Sequence, residues 1–206
     1  MATDIPEHPP VRKVSDPAQL RALAHPLRFT LMELLLLDGP ATATELGAKL
    51  GESPANCSWH LRQLAKFGYV AEAPPGPGRR RPWQVVVHGH TTDHEAEADP
   101  EYASAHDALA VVALRHEFAR LDEWYMARRA APREWRGAAG VTQSLMWLTA
   151  DELAGLQAEI QTLVQRHRDR VTDPARRPSG AEPVRFVAWG IPARAEYLET
   201  AEDPTE

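Results

Sequence analysis

Two closely spaced helix starts constrain the fold of this chain more than any other feature. Thr42-Ala-Thr-Glu45 is a capping box, in which the hydroxyl and the carboxylate satisfy each other's free backbone amides. The helix that it opens is short because Gly51 ends it. Ser53 and Pro54 then supply an N-cap and a first-turn proline for the next helix. Two short helices joined by a tight glycine turn predict a helix-turn-helix.

Two further helices are predicted before this pair. The first covers Pro17–Ala24, and the second begins at Pro26 and is stopped by Gly39-Pro40. Apolar residues recur at helical spacing along the second helix, which predicts one buried face. They are Leu27, Leu31, Leu34 and Leu35.

A hairpin is predicted directly behind the helix pair. Its strands are Tyr69–Ala73 and Trp83–Val87, and the tip between them reads PPGPGRRRP. A hairpin in this position is a wing. The three arginines of the tip, Arg79, Arg80 and Arg81, form the densest basic cluster in the first half of the chain.

The second half is predicted to combine helices with a few strands. A long helix covers Pro100–Arg129. It carries one apolar stripe at Leu114, Phe118, Leu121 and Tyr125 and another at Leu109 and Val112. So wide an apolar arc must be covered, and a second subunit would cover it. Val141–Leu148 and Val184–Trp189 are predicted strands, and Thr149–Glu152 is a second capping box.

The predicted fold class is therefore mainly α with small β: an N-terminal winged helix-turn-helix and a C-terminal α+β dimerisation region. The predicted divisions are a flexible arm at 1–15, the winged domain at 16–90, a polar linker at 91–99, the dimerisation and effector region at 100–192, and an acidic tail at 193–206.

Composition favours a cytoplasmic protein that does not enter a membrane. No apolar run approaches the roughly 20 residues of a membrane helix, and a single cysteine cannot form an internal disulfide. The net charge of −6 is uneven. Residues 1–90 hold 10 Lys and Arg against 8 Asp and Glu, so overall acidity does not argue against an anionic partner for this half.

Two stretches resemble the ArsR-like winged helix-turn-helix repressors of bacteria. LRALAHPLRFTLMELLLLDGPATATELGAKLG resembles the opening helices of that family, and SPANCSWHLRQLAKFGYV resembles its recognition helix. The likeness covers about residues 18–88. It implies a homodimeric transcriptional regulator, most often a repressor, that binds double-stranded DNA at a palindromic operator. The family's metal sensors often carry a Cys-x-Cys pair in the helix before the recognition helix. TATELGAKL has none, so no metal or other cofactor is expected there.

Helical periodicity divides the predicted recognition helix into two faces. Cys57, Leu61 and Leu64 turn inward, whereas Asn56, Ser58, Trp59, Arg62 and Gln63 turn outward. Asn and Gln pair with adenine and Arg with guanine or phosphate, and the helix start at Ser53 offers amides to a phosphate. Trp59 would pack on sugar or a thymine methyl. The resemblance makes His60 a backbone contact, and the wing arginines are predicted to reach the minor groove or phosphates. A plain solvated face is the alternative.

Three other features have competing interpretations. Cys57 and His60 could form a nucleophile–base pair, but neither an orienting group nor an oxyanion donor is recognisable, so no enzyme activity is expected. The histidines of HGHTTDH (His88, His90 and His94) suit zinc or nickel, but a polar linker is the more common interpretation. Five residues are candidates for lining a small-molecule effector pocket, with ordinary core as the alternative: Tyr125, Met146, Trp147, Phe186 and Trp189.

The rival hypothesis for the whole chain is a winged helix kept as a protein-interaction module. In that case the acidic C-terminal half would be the working surface, and the winged helix would bind no specific DNA sequence.

Overall fold

A computed structural model of the chain describes residues 12–74, 80–87 and 90–194. Contacts within the chain divide it into two compact units, residues 1–140 and 141–206. The described residues are mainly helical and include four short strands, all in the first unit. The predicted fold class, mainly α with small β, is confirmed.

The first unit contains four consecutive helices that start where the sequence predicts. They are α1 (Pro17–Leu23), α2 (Pro26–Asp38), α3 (Ala43–Leu50) and α4 (Pro54–Lys66). Each N-cap side chain accepts a hydrogen bond from a first-turn amide, and these caps are Asp16, His25, Thr42 and Ser53. The capping box of α3 is complete, because Thr42 N–H also donates to Glu45 Oε2 at 2.8 Å. Local capping chemistry therefore fixes where these helices begin.

One apolar core holds the four helices together. It takes the inner side chains of every helix, and Tyr69 closes it beside the end of α4. Completely buried members include Leu20, Leu31, Leu46, Cys57, Leu61 and Leu64. The predicted inward face of α4 is thus confirmed, and burial of these side chains is the main force that positions α4.

The predicted wing is confirmed as an antiparallel pair. Strand β2 (Val70–Glu72) pairs with β3 (Trp83–Val85), with Val70 opposite Val85. Ala41, which lies between α2 and α3, adds a bridge to Trp83 through two backbone hydrogen bonds of 3.1 and 2.8 Å. This bridge connects the wing to the chain just before α3, the first helix of the pair.

The predicted flexible arm and the predicted linker both contain regular structure where the chain is described, and residues 1–11 of the arm lie outside the described residues. Residues Arg12–Val14 form strand β1, which pairs in parallel with strand β4 (His90–Thr92), and a 3-10 helix follows at His94–Ala98. The cause is packing between residues that are distant in sequence. The Val14 side chain is fully buried, and its carbonyl accepts the Tyr102 hydroxyl at 2.8 Å.

Helix α5 (Pro100–Ala127) confirms the predicted long helix, but half of it belongs to the first unit's core. Tyr102, Ala105 and Leu109 are buried there, and His116 pairs with Glu33 of α2 at 2.9 Å. The boundary between the units therefore falls after residue 140 rather than in the predicted linker. A 3-10 turn (Arg128–Ala130) and α6 (Arg133–Ala138), neither of which was predicted, complete this unit.

The second unit is built on α7 (Ala150–Gln165), which starts at the predicted capping box of Thr149 and Glu152. A short α8 (Asp169–Thr172) and a 3-10 turn at Pro174–Arg176 follow. Residues 141–148 and 184–189 are not strands in the described structure, so both strand predictions are wrong. Their apolar pattern suits a strand, but a strand requires a hydrogen-bonded neighbour.

Gly47 generates a prediction about the turn between α3 and α4. A Cβ built on Gly47 would lie 2.6 Å from the backbone carbonyl oxygen of Glu52. Gly47→Ala should therefore lower the free energy of unfolding by about 1–3 kcal/mol, the usual cost of overpacking. Helix propensity alone would predict the opposite sign. Urea unfolding followed by circular dichroism measures the difference.

Gly155→Ala is the matched control for Gly47→Ala. Gly155 lies within α7, where an added Cβ has nothing within 4 Å. Alanine there should stabilise its helix by about 0.5–1 kcal/mol. A Gly47→Ala protein as stable as the unsubstituted chain would contradict the tight turn.

Candidate nucleic-acid interface

The geometry of the helix pair comes from the short connection between α3 and α4. Gly51 ends α3 in the left-handed conformation, with φ of 69°, which favours glycine. The Glu52 N–H then donates back to Gly47 O at 3.0 Å, and the Ser53 hydroxyl accepts from Asn56 N–H at 3.1 Å. The chain turns within two residues, so α4 is presented as the second helix of a helix-turn-helix.

The outer face of α4 carries most of the residues predicted to contact DNA. Trp59 is 48% exposed, so about half of this large apolar residue faces solvent. Arg62 is exposed beside it and donates to Ser58 Oγ at 2.6 Å. The other polar side chains also have surface partners. Asn56 donates to Glu52 at 2.9 Å, and Lys66 donates to Gln63 at 3.2 Å.

His60 does not occupy the place predicted for it. Its side chain is only 5% exposed, so it is not a surface contact. Its ring lies 4.4 Å from the His25 ring and edge-on to Trp59 at 4.8 Å, and its Nδ1 accepts from Arg28 Nε at 3.3 Å. Partners supplied by α2 hold it in the interior, and no pattern within α4 encodes them.

Arg28 is the residue of this region that sequence reasoning missed. From the first turn of α2 its Nη1 donates to Ala22 O at 2.7 Å, and its guanidinium carbon lies 5.6 Å from the centre of the Trp59 ring. A cation in the first turn is unfavourable for the helix dipole. That misplaced charge was the available signal that Arg28 serves another element.

The described part of the wing tip presents Arg80 and Arg81 to solvent. Arg80 is paired with the carboxylate of Glu45 in α3, which connects the wing to the helix pair. Hydrogen bonds from Thr42, more than the charge of Arg80, hold the pKa of Glu45 below its usual range. Arg79 lies outside the described residues, so its predicted role stays a prediction.

Cys57 has the properties of a core side chain. It is completely buried, and burial raises the pKa of its thiol, so the reactive thiolate is disfavoured. The Nδ1 of His60 is already occupied by Arg28.

Metal binding is not supported by any described side chain. Across that part of the chain, no three His, Cys, Asp or Glu residues converge on one point. The side chains of His88, His90 and His94 lie outside the described set, so the interpretation of HGHTTDH stays a prediction.

The five residues of the predicted effector pocket are divided between the two units, so the pocket stays a prediction. Within the second unit, Met146, Trp147, Phe186 and Trp189 are all more than half exposed. A shallow, open depression lies along α7, and of the predicted residues only Phe186 lines it. Tyr125 belongs to the first unit.

Comparison with known families supports the helix-turn-helix assignment. Residues 23–68, which run from the end of α1 to the glycine after α4, match the sequence profile of a helix-turn-helix domain. They cover less than a quarter of the chain, so the match identifies a domain of the kind found in winged DNA-binding regulators. No curated protein matches the chain. Among the described helices, none combines the length and the apolar character needed to cross a membrane.

The burial of Cys57 predicts its reactivity. In the folded protein at about pH 8, near the ordinary thiol pKa, Ellman's reagent should label Cys57 only as fast as the domain unfolds. The release of thionitrobenzoate with and without urea measures this. The control is Cys57→Ala/Arg62→Cys, which moves the thiol to the exposed face and should react at once. Rapid labelling of native Cys57 would contradict its place in the core.

Proposed function

We propose that this protein is a DNA-binding transcriptional regulator, with α4 as the helix that enters the major groove. The observation that carries the proposal is Trp59. A half-exposed indole stands beside Arg62 on a helix whose opposite face is completely buried. A single α-helix fits the major groove, and an aromatic ring beside a guanidinium can contact sugar, base and phosphate there.

Individual contacts follow from the residue types on the exposed face. Arg62 is assigned to guanine or to a phosphate, and Asn56 and Gln63 are assigned to adenine. Ser53, whose hydroxyl caps α4 by accepting from Asn56 N–H, is assigned to a phosphate at the start of the helix. Arg80 and Arg81, together with Arg79, extend the contact from the wing to the neighbouring minor groove or backbone.

We propose that the protein acts as a homodimer through α5. Five of the exposed apolar residues of α5, Val111, Leu114, Phe118, Leu121 and Tyr125, are spaced alternately three and four apart. That spacing forms the continuous seam of a coiled coil. A two-fold dimer would present two α4 helices to half-sites about 34 Å apart. A palindromic operator and repression by blocking a promoter are the expected mode of action.

No catalytic step is assigned to the chain. The only cysteine is buried, and the histidine next to it on α4 is engaged with Arg28. The rival function, a protein-interaction module, is favoured by the many exposed apolar residues of the second unit, including Trp147 and Trp189. DNA binding by α4 separates the two proposals.

Loss of the wing arginines or of the exposed α4 side chains should weaken DNA binding in different ways. Arg79/Arg80/Arg81→Ala should lower affinity and reduce the log–log salt slope by up to about 0.9 for each phosphate that is no longer neutralised. Trp59→Ala/Arg62→Ala should abolish the preference for a selected operator over random DNA. Fluorescence anisotropy at rising salt measures both effects.

Arg129/Arg133/Arg136→Ala is the control for charge. These arginines lie beyond α5, so their loss changes the net charge equally without touching the helix pair or the wing. If Trp59→Ala/Arg62→Ala binds the operator as the unsubstituted chain does, α4 is not the reading helix. If the unsubstituted chain prefers no selected duplex over random DNA, the interaction module becomes the better proposal.

A carboxylate in the α5 seam should separate the subunits. Phe118 is 53% exposed, and Phe118→Glu would bury two like charges across a two-fold seam. We expect a monomer by sedimentation equilibrium, with weaker binding to a duplex that carries both half-sites. Ala119→Glu, one residue outside the seam, should remain a dimer. If the Phe118→Glu protein remains a dimer, the dimer interface lies outside the α5 seam.

A further inference from the structure

Four side chains meet where the start of α2 touches α4, and the proposed function has so far given a role to only one of them, Trp59. We call this group the His25–His60 cluster: His25, Arg28, Trp59 and His60. Arg28 is its centre, because it donates to His60, stacks over Trp59 and is anchored to the carbonyl of Ala22. The two imidazole rings lie against each other, 4.4 Å apart.

The hydrogen bonds of this cluster require both histidines to be neutral. His25 Nδ1 accepts from Leu27 N–H at 3.2 Å as the N-cap of α2, and His60 Nδ1 accepts from Arg28 Nε–H at 3.3 Å. A ring nitrogen that accepts carries no proton, so each ring has its proton on Nε2. Protonation would place N–H against N–H at both positions and would put an imidazolium beside the Arg28 cation.

We propose that Arg28 is a positioning residue that orients Trp59 for DNA, and that it does so only while His25 and His60 are neutral. Acidification would then break the hydrogen bond from Arg28 to His60, and the guanidinium would leave the Trp59 ring. The helix that reads DNA would lose the support of its largest exposed side chain. This inference rests on the proposed DNA binding and adds a regulation of that same surface by pH.

The charged groups around the cluster mostly act in the same direction. Burial first, and then the charge of Arg28, lower the pKa of His25. Burial, His25 and Arg28 lower the pKa of His60, and only Glu52, from the turn before α4, opposes them. Both pKa values in the folded protein therefore lie below the ordinary histidine value of 6.5.

The sign of the pH effect follows from these lowered pKa values. The unfolded chain takes up protons near pH 6.5, before the folded cluster does. The cluster's contribution to stability is therefore complete above that pH, and it is lost as the pH falls towards the folded pKa values. Protonation usually strengthens binding to DNA by adding positive charge, so weaker binding in acid would distinguish this cluster from ordinary electrostatics.

The decisive comparison uses variants that keep the acceptors and cannot titrate. His25→Asn retains an N-cap oxygen, and His60→Gln retains an acceptor for Arg28. The probe is a fluorescein-labelled duplex selected from random-sequence DNA on the full chain. From about pH 7.5 to about pH 5.5, affinity of the unsubstituted chain should fall about 2- to 10-fold, the factor that one net hydrogen bond represents. His25→Asn/His60→Gln should show no such fall.

Arg28→Lys tests the positioning role apart from pH. Lysine keeps the charge but loses the planar fork that donates from Nε and stacks on the indole. Affinity should fall at neutral pH while urea unfolding shows a folded domain. An equal acid-induced loss in His25→Asn/His60→Gln, or full affinity in Arg28→Lys, overturns the inference.

An NMR readout separates failure of this inference from failure of the proposed function. The indole N–H resonance of Trp59, assigned with Trp59→Phe, should titrate with a midpoint below the ordinary histidine pKa in the free protein. The same resonance should stay fixed in His25→Asn/His60→Gln. If the chain binds no DNA at neutral pH, the proposed function fails, and this titration still decides whether the cluster couples histidine charge to Trp59.

Discussion

The close approach of Gly47 to the carbonyl of Glu52 determines how the two helices of the helix-turn-helix meet. Because α3 approaches α4 without an intervening side chain, Leu46, Cys57 and Leu61 can share one core. Because the inner face of α4 is fixed in this way, Trp59 and Arg62 on its opposite face point outward. The proposed DNA-contacting surface is thus the face of α4 that core packing leaves exposed.

Arg28 connects this scaffold to the surface of α4. It reaches from α2 across the core boundary and contacts both the buried His60 and the exposed Trp59. The contact with the indole places a cation at the start of a helix, where the helix dipole disfavours it. The first turn of α2 and the outer face of α4 are therefore in direct contact, although they are far apart in sequence.

The sequence predicted well the features that are determined by residues close together in the chain. The starts of α1 to α4 and α7 follow from caps and first-turn prolines, and the two faces of α4 follow from helical period. His60, strand β1 and the boundary after residue 140 depend on distant partners: Arg28, His90–Thr92 and the buried start of α5. Residues 141–148 and 184–189 have a strand-like apolar pattern but form no strand, because the pattern does not by itself supply the neighbouring strand that pairing requires.

The pairing of β1 with β4 also affects the order in which the domain is assembled. Arg12 is aligned with His90, and the Val14 carbonyl accepts a hydrogen bond from the Tyr102 hydroxyl. The first strand therefore cannot pair until residues that the ribosome makes much later are present. The helix pair and the wing consist of contacts closer in sequence, which form with a smaller loss of chain entropy. A nascent chain can therefore hold a finished helix-turn-helix while its amino-terminal strand is still unplaced. The start of α5 then holds that strand in place and completes the core, and it joins the proposed dimerisation helix to the winged domain.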